Sequence, residues 1–303
     1  LDRRQRQMCI RDRYNYLNFE DTMNFLLTFL FFIIPTFSLS QTNEISKISD
    51  VNYASLIMYH RFGDSRYPST NIKKDQFIKH INELLKPKYN VISIEKALLA
   101  INNIEPVKDR SVVITIDDAY SSVYKYAWPI FKKHNLPFTL FVSTDVIDNK
   151  TPGYMNWEQI RTLRDHGVTI GSQTKSHPHM FKLTKEKIIE ELSISNKRFI
   201  DEIGSSPIFF AYPYGEYNLE VIEQVKLHGF VAAFGQHSGV AHKSLGMYEL
   251  PRFAMNEKYG DMDRFLLAVN ALPIPVSDLS PKNPVISRNP PSYGFTLSDK
   301  IEP

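Results

Sequence analysis

A chain of 303 residues with 43% apolar content is long enough for one large domain, or two small ones, with a sizeable core. Its 36 basic and 33 acidic residues nearly cancel to a net +3, and no long basic run is present, which argues against nucleic acid or an anionic membrane surface as partner. The 20 Phe and 16 Tyr read first as core filling, with stacking of some rings on the flat faces of a ligand as the functional alternative.

Residues 1–22 show no apolar periodicity, and the run Arg4-Gln5-Arg6-Gln7-Met8-Cys9-Ile10-Arg11-Asp12-Arg13 resembles a translated sequencing adapter. The segment is read as a non-native extension, with the natural start at Met23. Residues 25–37 are apolar but too short for a comfortable membrane span, and Ser38-Leu39-Ser40 then supplies a small-x-small step before Gln41. This predicts a signal peptide over 23–40, although no Lys or Arg follows Met23; an uncleaved anchor is the alternative. The mature chain would be exported to the periplasm or the exterior and would not be an integral membrane protein. Cys9 is the only cysteine, so that chain would form no disulfide.

From there, β-rich runs alternate with helical patterns. Residues 54–59 read as a buried strand, and 75–85 as a helix with Phe77, Ile78, Ile81, Leu84 and Leu85 in period. Residues 111–116 are a strand, 124–134 a helix and 137–142 a strand. A helix over 156–166 is stopped by Gly167, and 168–171 is a short strand. Thr184 caps a long helix reaching Ile203. Residues 207–211, 217–228 and 230–234 continue as strand, helix and strand. This alternation predicts a parallel α/β sheet or barrel, and the absence of a GxGxxG turn favours the barrel. After Ala271, prolines punctuate a segment without helical period, read as a tail over 273–303 or the start of a further segment, with a strand beginning at Phe295.

Polar groups collect just after these strands: His60, then Asp117 and Asp118, then Gln173, His177 and His179, then Tyr212 and Tyr214. In a barrel all would lie on the C-terminal face, where active sites sit. Two adjacent carboxylates at a strand end are costly unless a cation or donors compensate. They read either as a helix cap plus a solvated acid, or as a metal ligand beside a general base. His179 is separated from His177 by Pro178, and residues two apart in a tight loop rarely chelate together. It reads as a structural or substrate-side histidine.

From about Ala54 to Ala271 the chain resembles the polysaccharide deacetylase family, also called the NodB-homology domain or carbohydrate esterase family four. The resemblance rests on Tyr59-His60-Arg61, Thr115-Ile116-Asp117-Asp118-Ala119, Gly171-Ser172-Gln173-Thr174-Lys175-Ser176-His177-Pro178 and Phe210-Ala211-Tyr212-Pro213-Tyr214-Gly215. Gly235-Gln236-His237-Ser238-Gly239 and Leu250-Pro251-Arg252 resemble the subgroup acting on biofilm poly-N-acetylglucosamine.

The resemblance implies a distorted (β/α)7 barrel over 41–272 and metal-dependent removal of acetyl from N-acetylhexosamine in a polysaccharide or oligosaccharide. It assigns Asp117 as general base, Asp118 and His177 as metal ligands, and the Tyr214 N–H as oxyanion donor. The ion would be zinc, with nickel, cobalt or iron as alternatives. Gln173 stands where the family has a first metal-binding His, and its neutral amide is a weaker ligand. Ala211 stands where many members have an Arg that orients the base; Arg252 would replace it. Ala119 replaces a Gly. The general acid is His237 as first candidate and His60 as second, with His60, Tyr212 and His179 otherwise facing substrate. The alternative is a non-catalytic carbohydrate-binding protein with a weakened metal site, which Gln173 and Ala211 favour and the Asp117-Asp118 pair disfavours.

Overall fold

Six β-branched or hydroxyl-bearing residues, Ser111–Ile116, are buried along their whole length and suit a strand covered on both faces. The computed structural model describes residues 50–274, 276–286 and 288–297; the expected extension over 1–22, the expected signal peptide over 23–40 and Cys9 lie outside the described residues. The main strands are β1 (Tyr53–Tyr59), β2 (Ser111–Ile116), β3 (Thr139–Val142), β4 (Thr169–Ser172), β5 (Phe209–Ala211), β6 (Ala232–Phe234), β7 (Val240–His242) and β8 (Phe253–Ala254). From β1 to β6 each strand lies parallel beside the next. Leu250 bridges Phe234 of β6, and three residues later β8 pairs in parallel with Ile57 and Met58 of β1. The segment from Leu250 to Ala254 therefore closes the curled sheet into a barrel of seven parallel staves. Antiparallel β7 covers the lower edge of β1, at Ala54 and Ser55.

Strand alternation sorts the core into an inside and an outside. On β2, Val112, Ile114 and Ile116 pack outward with Phe77, Phe131 and Ile160. Val113 points the other way, into a cluster of Ala54, Leu56, Phe141, Ala211 and Phe234. The many alanines of that inner cluster suit the narrow barrel interior. Thr115 and Asp117 continue the row of Val113, and Gly171 and Gln173 are the matching inward row at the end of β4.

The helices are α1 (Lys74–Leu84), α2 (Ile94–Ile101), α3 (Trp128–Lys133), α4 (Thr144–Asp148), α5 (Trp157–Asp165), α6 (Lys185–Ile203), α7 (Leu219–Leu227) and α8 (Met262–Val269). The predicted helix over 124–134 is two pieces. Pro129 has no N–H for the carbonyl one turn back, and the preceding turn, Val123–Ala127, widens to a π-helix in which the Trp128 N–H donates to Val123. Helix α2 was not predicted. Its buried Ile94, Ala97, Leu98 and Ile101 do follow the helical i, i+3, i+4, i+7 spacing, the Ser93 hydroxyl caps it, and its buried face joins the inner cluster. Helix α8 was also missed, and is capped by Asp261. Beyond it, Val276–Ser280 and Gly294–Leu297 pair as an antiparallel hairpin, where the sequence suggested a tail with one strand.

One buried histidine makes the fold sensitive to acid. His80 on α1 has no accessible surface and stacks on Phe265 of α8 at 3.9 Å. Its Nε2 lies 2.9 Å from the Gly260 carbonyl, which only accepts, so Nε2 carries the proton and Nδ1 accepts from the Tyr59 hydroxyl at 2.9 Å. Burial lowers its pKa from 6.5 to about 4, against the opposing pull of the Gly260 carbonyl and Asp261. The unfolded chain takes up a proton near pH 6.5 that the folded chain refuses until about pH 4. This contribution is whole above that window and lost as the pH falls through it, about 3 kcal/mol in all. Urea midpoints of the parent should fall more steeply than those of His80→Gln between pH 6.5 and 4; parallel profiles would contradict the assignment.

Candidate active site

The inward row of β2 ends in Asp117, which has no accessible surface. Both its carboxylate oxygens are held by Arg252 from the closing stave: Nη1 donates to Oδ1 at 2.7 Å and Nη2 to Oδ2 at 2.8 Å. Arg252 is equally buried, and its Nε donates to the Gly235 carbonyl at 2.9 Å. The Thr115 hydroxyl, one step down the same row, accepts from Nη1 at 3.3 Å. A charge pair without access to water is stable only with this degree of hydrogen bonding. The structure thus places Arg252 on both oxygens of Asp117, while Ala211 lies in the inner cluster.

Asp118, the next residue, turns away into an open cavity of about 490 Å³. The turn needs the left-handed region: φ is +73° at Asp118 and +53° at Ala119, where glycine would be unstrained. Thr174, His177 and Tyr214 also have positive φ, at +71°, +59° and +58°. Such concentrated strain, outside glycine, marks loops whose shape is held by their surroundings. At Gly215, φ is +72° and a Cβ would stand 2.6 Å from the Gln236 backbone nitrogen, so only glycine fits beside Tyr214.

Asp118 Oδ1 and His177 Nε2 are 3.5 Å apart across the cavity wall. Two ligands at about 2.0–2.1 Å from a tetrahedral zinc stand roughly 3.3 Å from each other, so this pair fits a shared divalent ion. Gln173 does not complete the set as placed. Its Oε1 accepts from the Asp118 backbone N–H at 3.3 Å, and its Nε2 is buried without a partner. Exchanging the two amide atoms would set donor against donor, so the orientation follows from Asp118. Among the described residues no three His, Cys, Asp or Glu side chains converge as a metal cage. The residues fit an ion held by Asp118 and His177 and open to the cavity.

The other predicted residues divide. His60 lines the same cavity as Asp118, His177 and Tyr214. His237 lines a different one, with Tyr217, Glu249 and the segment beginning at Val276. Burial, and then the Arg252 charge, lower the His237 pKa. Tyr212 is fully buried and donates its hydroxyl to the Tyr248 carbonyl at 3.0 Å, which makes it a core residue and leaves no substrate face. His179 is exposed and lies against Tyr214. Sequence reasoning missed Tyr120, Tyr154 and Gln236, which line the cavity. Gln236 had a signal, since it follows the end of β6, but its neighbour His237 carried the more obvious chemistry.

The polysaccharide deacetylase family model matches residues 104–233. That span holds Asp117, Asp118, Gln173, His177, Tyr212 and Tyr214, whereas His60, His237 and Arg252 lie outside it. A putative polysaccharide deacetylase of Bacillus subtilis, YxkH, is 27% identical over 197 residues, covering 65% of this chain and 69% of that protein. The poly-beta-1,6-N-acetyl-D-glucosamine N-deacetylase of Staphylococcus aureus is 21% identical over 223 residues, covering 70% and 77%. Among solved structures, the Streptococcus pyogenes deacetylase PplD, in complex with acetate, matches with TM-score 0.67 at 20% identity, covering 74% of this chain and 100% of that one. IcaB from Ammonifex degensii matches with TM-score 0.65 at 22% identity, covering 74% and 98%. At these identities the two structures show a shared fold, the distorted (β/α)7 barrel. The comparisons thus make residues 104–233 similar to a polysaccharide deacetylase domain.

Proposed function

We propose that this protein hydrolyses the acetamide of N-acetylated sugars in a polysaccharide, releasing acetate and leaving a free amine. The observation that carries the reading is the pairing of a fully buried, Arg252-clamped Asp117 with an open Asp118–His177 pair in the next position. A binding module gains nothing from a buried carboxylate clamped by an arginine beside an open ligand pair. Carbohydrate esterases of family four are in general divalent-metal dependent, and Asp118 and His177 would hold the ion here. A bound divalent ion lowers the pKa of a water toward neutrality and draws charge from the acetyl carbonyl.

The chain's own groups supply the rest. Asp117 takes the proton of the attacking water, and Arg252 fixes the direction of its lone pairs. The Tyr214 N–H faces the oxygen that gains charge. His60, in the same cavity as Asp118 and His177, gives its proton to the nitrogen as the C–N bond breaks. This moves the acid from His237, which faces another cavity. Export through residues 23–40 and a biofilm-type β-linked N-acetylglucosamine polymer belong to the same reading, by analogy with the staphylococcal relative. Among the described residues no helix is long and apolar enough to cross a membrane.

One observation favours a non-catalytic carbohydrate-binding protein instead: the Gln173 oxygen is engaged by Asp118, leaving two ligands rather than three. Acetate release from β-1,6-linked N-acetylglucosamine oligomers, with zinc, nickel, cobalt or iron supplied, separates the two. The hydrolase reading expects turnover, reduced by roughly 100- to 10,000-fold in Asp117→Asn. Oligomer binding without acetate release under every metal would establish the other reading.

A further inference from the structure

The turn that presents the Tyr214 N–H is strained and half-exposed, and something must hold it. Tyr214 has φ +58° and ψ 5°, with its ring 48% exposed. Two histidines from the loop after β4 enclose that ring. His177 meets it edge-on, with centroids 4.6 Å apart and planes at 69°. His179 lies flat on it, with centroids 4.1 Å apart and planes at 13°. His179 is itself fixed, since its Nδ1 lies 2.6 Å from Oε2 of Glu216. A carboxylate only accepts, so Nδ1 carries the proton and the imidazole plane is set by Glu216. Glu216 directly follows Gly215 in the turn that carries Tyr214. The loop of the metal-ligand candidate His177 thus clasps the turn of Tyr214 by ring and by hydrogen bond together.

An exposed His–Glu pair contributes little to global stability, because water screens it and two side chains must be ordered. Its effect is local, on a backbone that would otherwise relax from the left-handed region. We propose that His179, oriented by Glu216, is a positioning residue that holds the Tyr214 turn in register with His177. This rests on the deacetylase reading, in which the Tyr214 N–H meets the oxyanion. It gives His179 a role distinct from both metal binding and direct substrate contact.

The test uses the full chain with its divalent ion and N-acetylglucosamine oligomers. His179→Ala should lower kcat about tenfold or more while KM and the thermal midpoint stay put, since only alignment is lost. His179→Phe, which keeps a flat ring against Tyr214, should recover most of that loss. Glu216→Gln should fall between them. A rise in KM at unchanged kcat would make His179 a substrate contact and overturn the proposal. Amide hydrogen exchange at Gly215 and Glu216 gives a readout independent of turnover, and His179→Ala should accelerate it. Faster exchange in a protein without any turnover would uphold the clasp and sink the deacetylase reading. Unchanged exchange together with unchanged kcat would sink the clasp.

Discussion

Arg252→Ala is expected to destabilise the fold by about 3–5 kcal/mol and to abolish acetate release, because it leaves Asp117 as a buried charge without a partner. Neither side chain has accessible surface, and the guanidinium is engaged by Asp117, Thr115 and the Gly235 carbonyl together. Asp117→Asn should cost a similar amount, since the arginine is then the stranded charge. The informative variant is the double replacement Asp117→Val with Arg252→Met, which removes both charges at similar volume. It should recover most of the lost stability, as buried pairs commonly do when exchanged for apolar residues, and remain inactive. Chemical denaturation of Asp117→Val, Arg252→Met and the double gives the coupling directly. A stable Arg252→Ala protein, or an active double variant, would remove Asp117 from the chemistry.

Gln173→His is expected to tighten zinc binding on the order of 100-fold, by adding an imidazole to the Asp118 and His177 pair. The substitution gives up the bond from the Asp118 N–H at 3.3 Å but also removes the buried, unpartnered Nε2. These effects oppose one another, so stability should change by less than about 1 kcal/mol. Equilibrium dialysis of chelator-stripped protein against zinc reads the affinity without any turnover. The parent should lose its ion on gel filtration and the variant keep one per chain. A parent that already retains one ion, with no gain in the variant, would show that the amide turns and ligates. His177→Ala should weaken binding in both backgrounds.

The sequence made some of this site legible and hid the rest for identifiable reasons. Asp117, Asp118 and His177 were visible because strands end at Ile116 and Ser172, and strand ends of an α/β barrel gather on one face. Arg252 carried only a short local pattern, because its partner lies 135 positions earlier and no periodicity links them. His60 and His237 could not be ranked from sequence, since the backbone past a strand end decides which cavity a ring enters. Tyr212 was misplaced for the same reason: its hydroxyl turns back to Tyr248 and away from the substrate face. The role of Gln173 depended on which atom meets its amide, and that atom is the backbone N–H of Asp118, invisible in any side-chain pattern.

The closing stave also has a consequence in time. Asp117 sits at the end of the second stave of the ring and Arg252 on the seventh, so nearly half a chain of synthesis separates them. While a nascent chain grows, both metal-ligand candidates and Asp117 emerge long before Arg252. The clamp forms only when the segment from Leu250 to Ala254 slots between β6 and β1. In the proposed mechanism turnover would therefore report ring closure, and a chain stalled earlier holds a carboxylate with nothing to aim it.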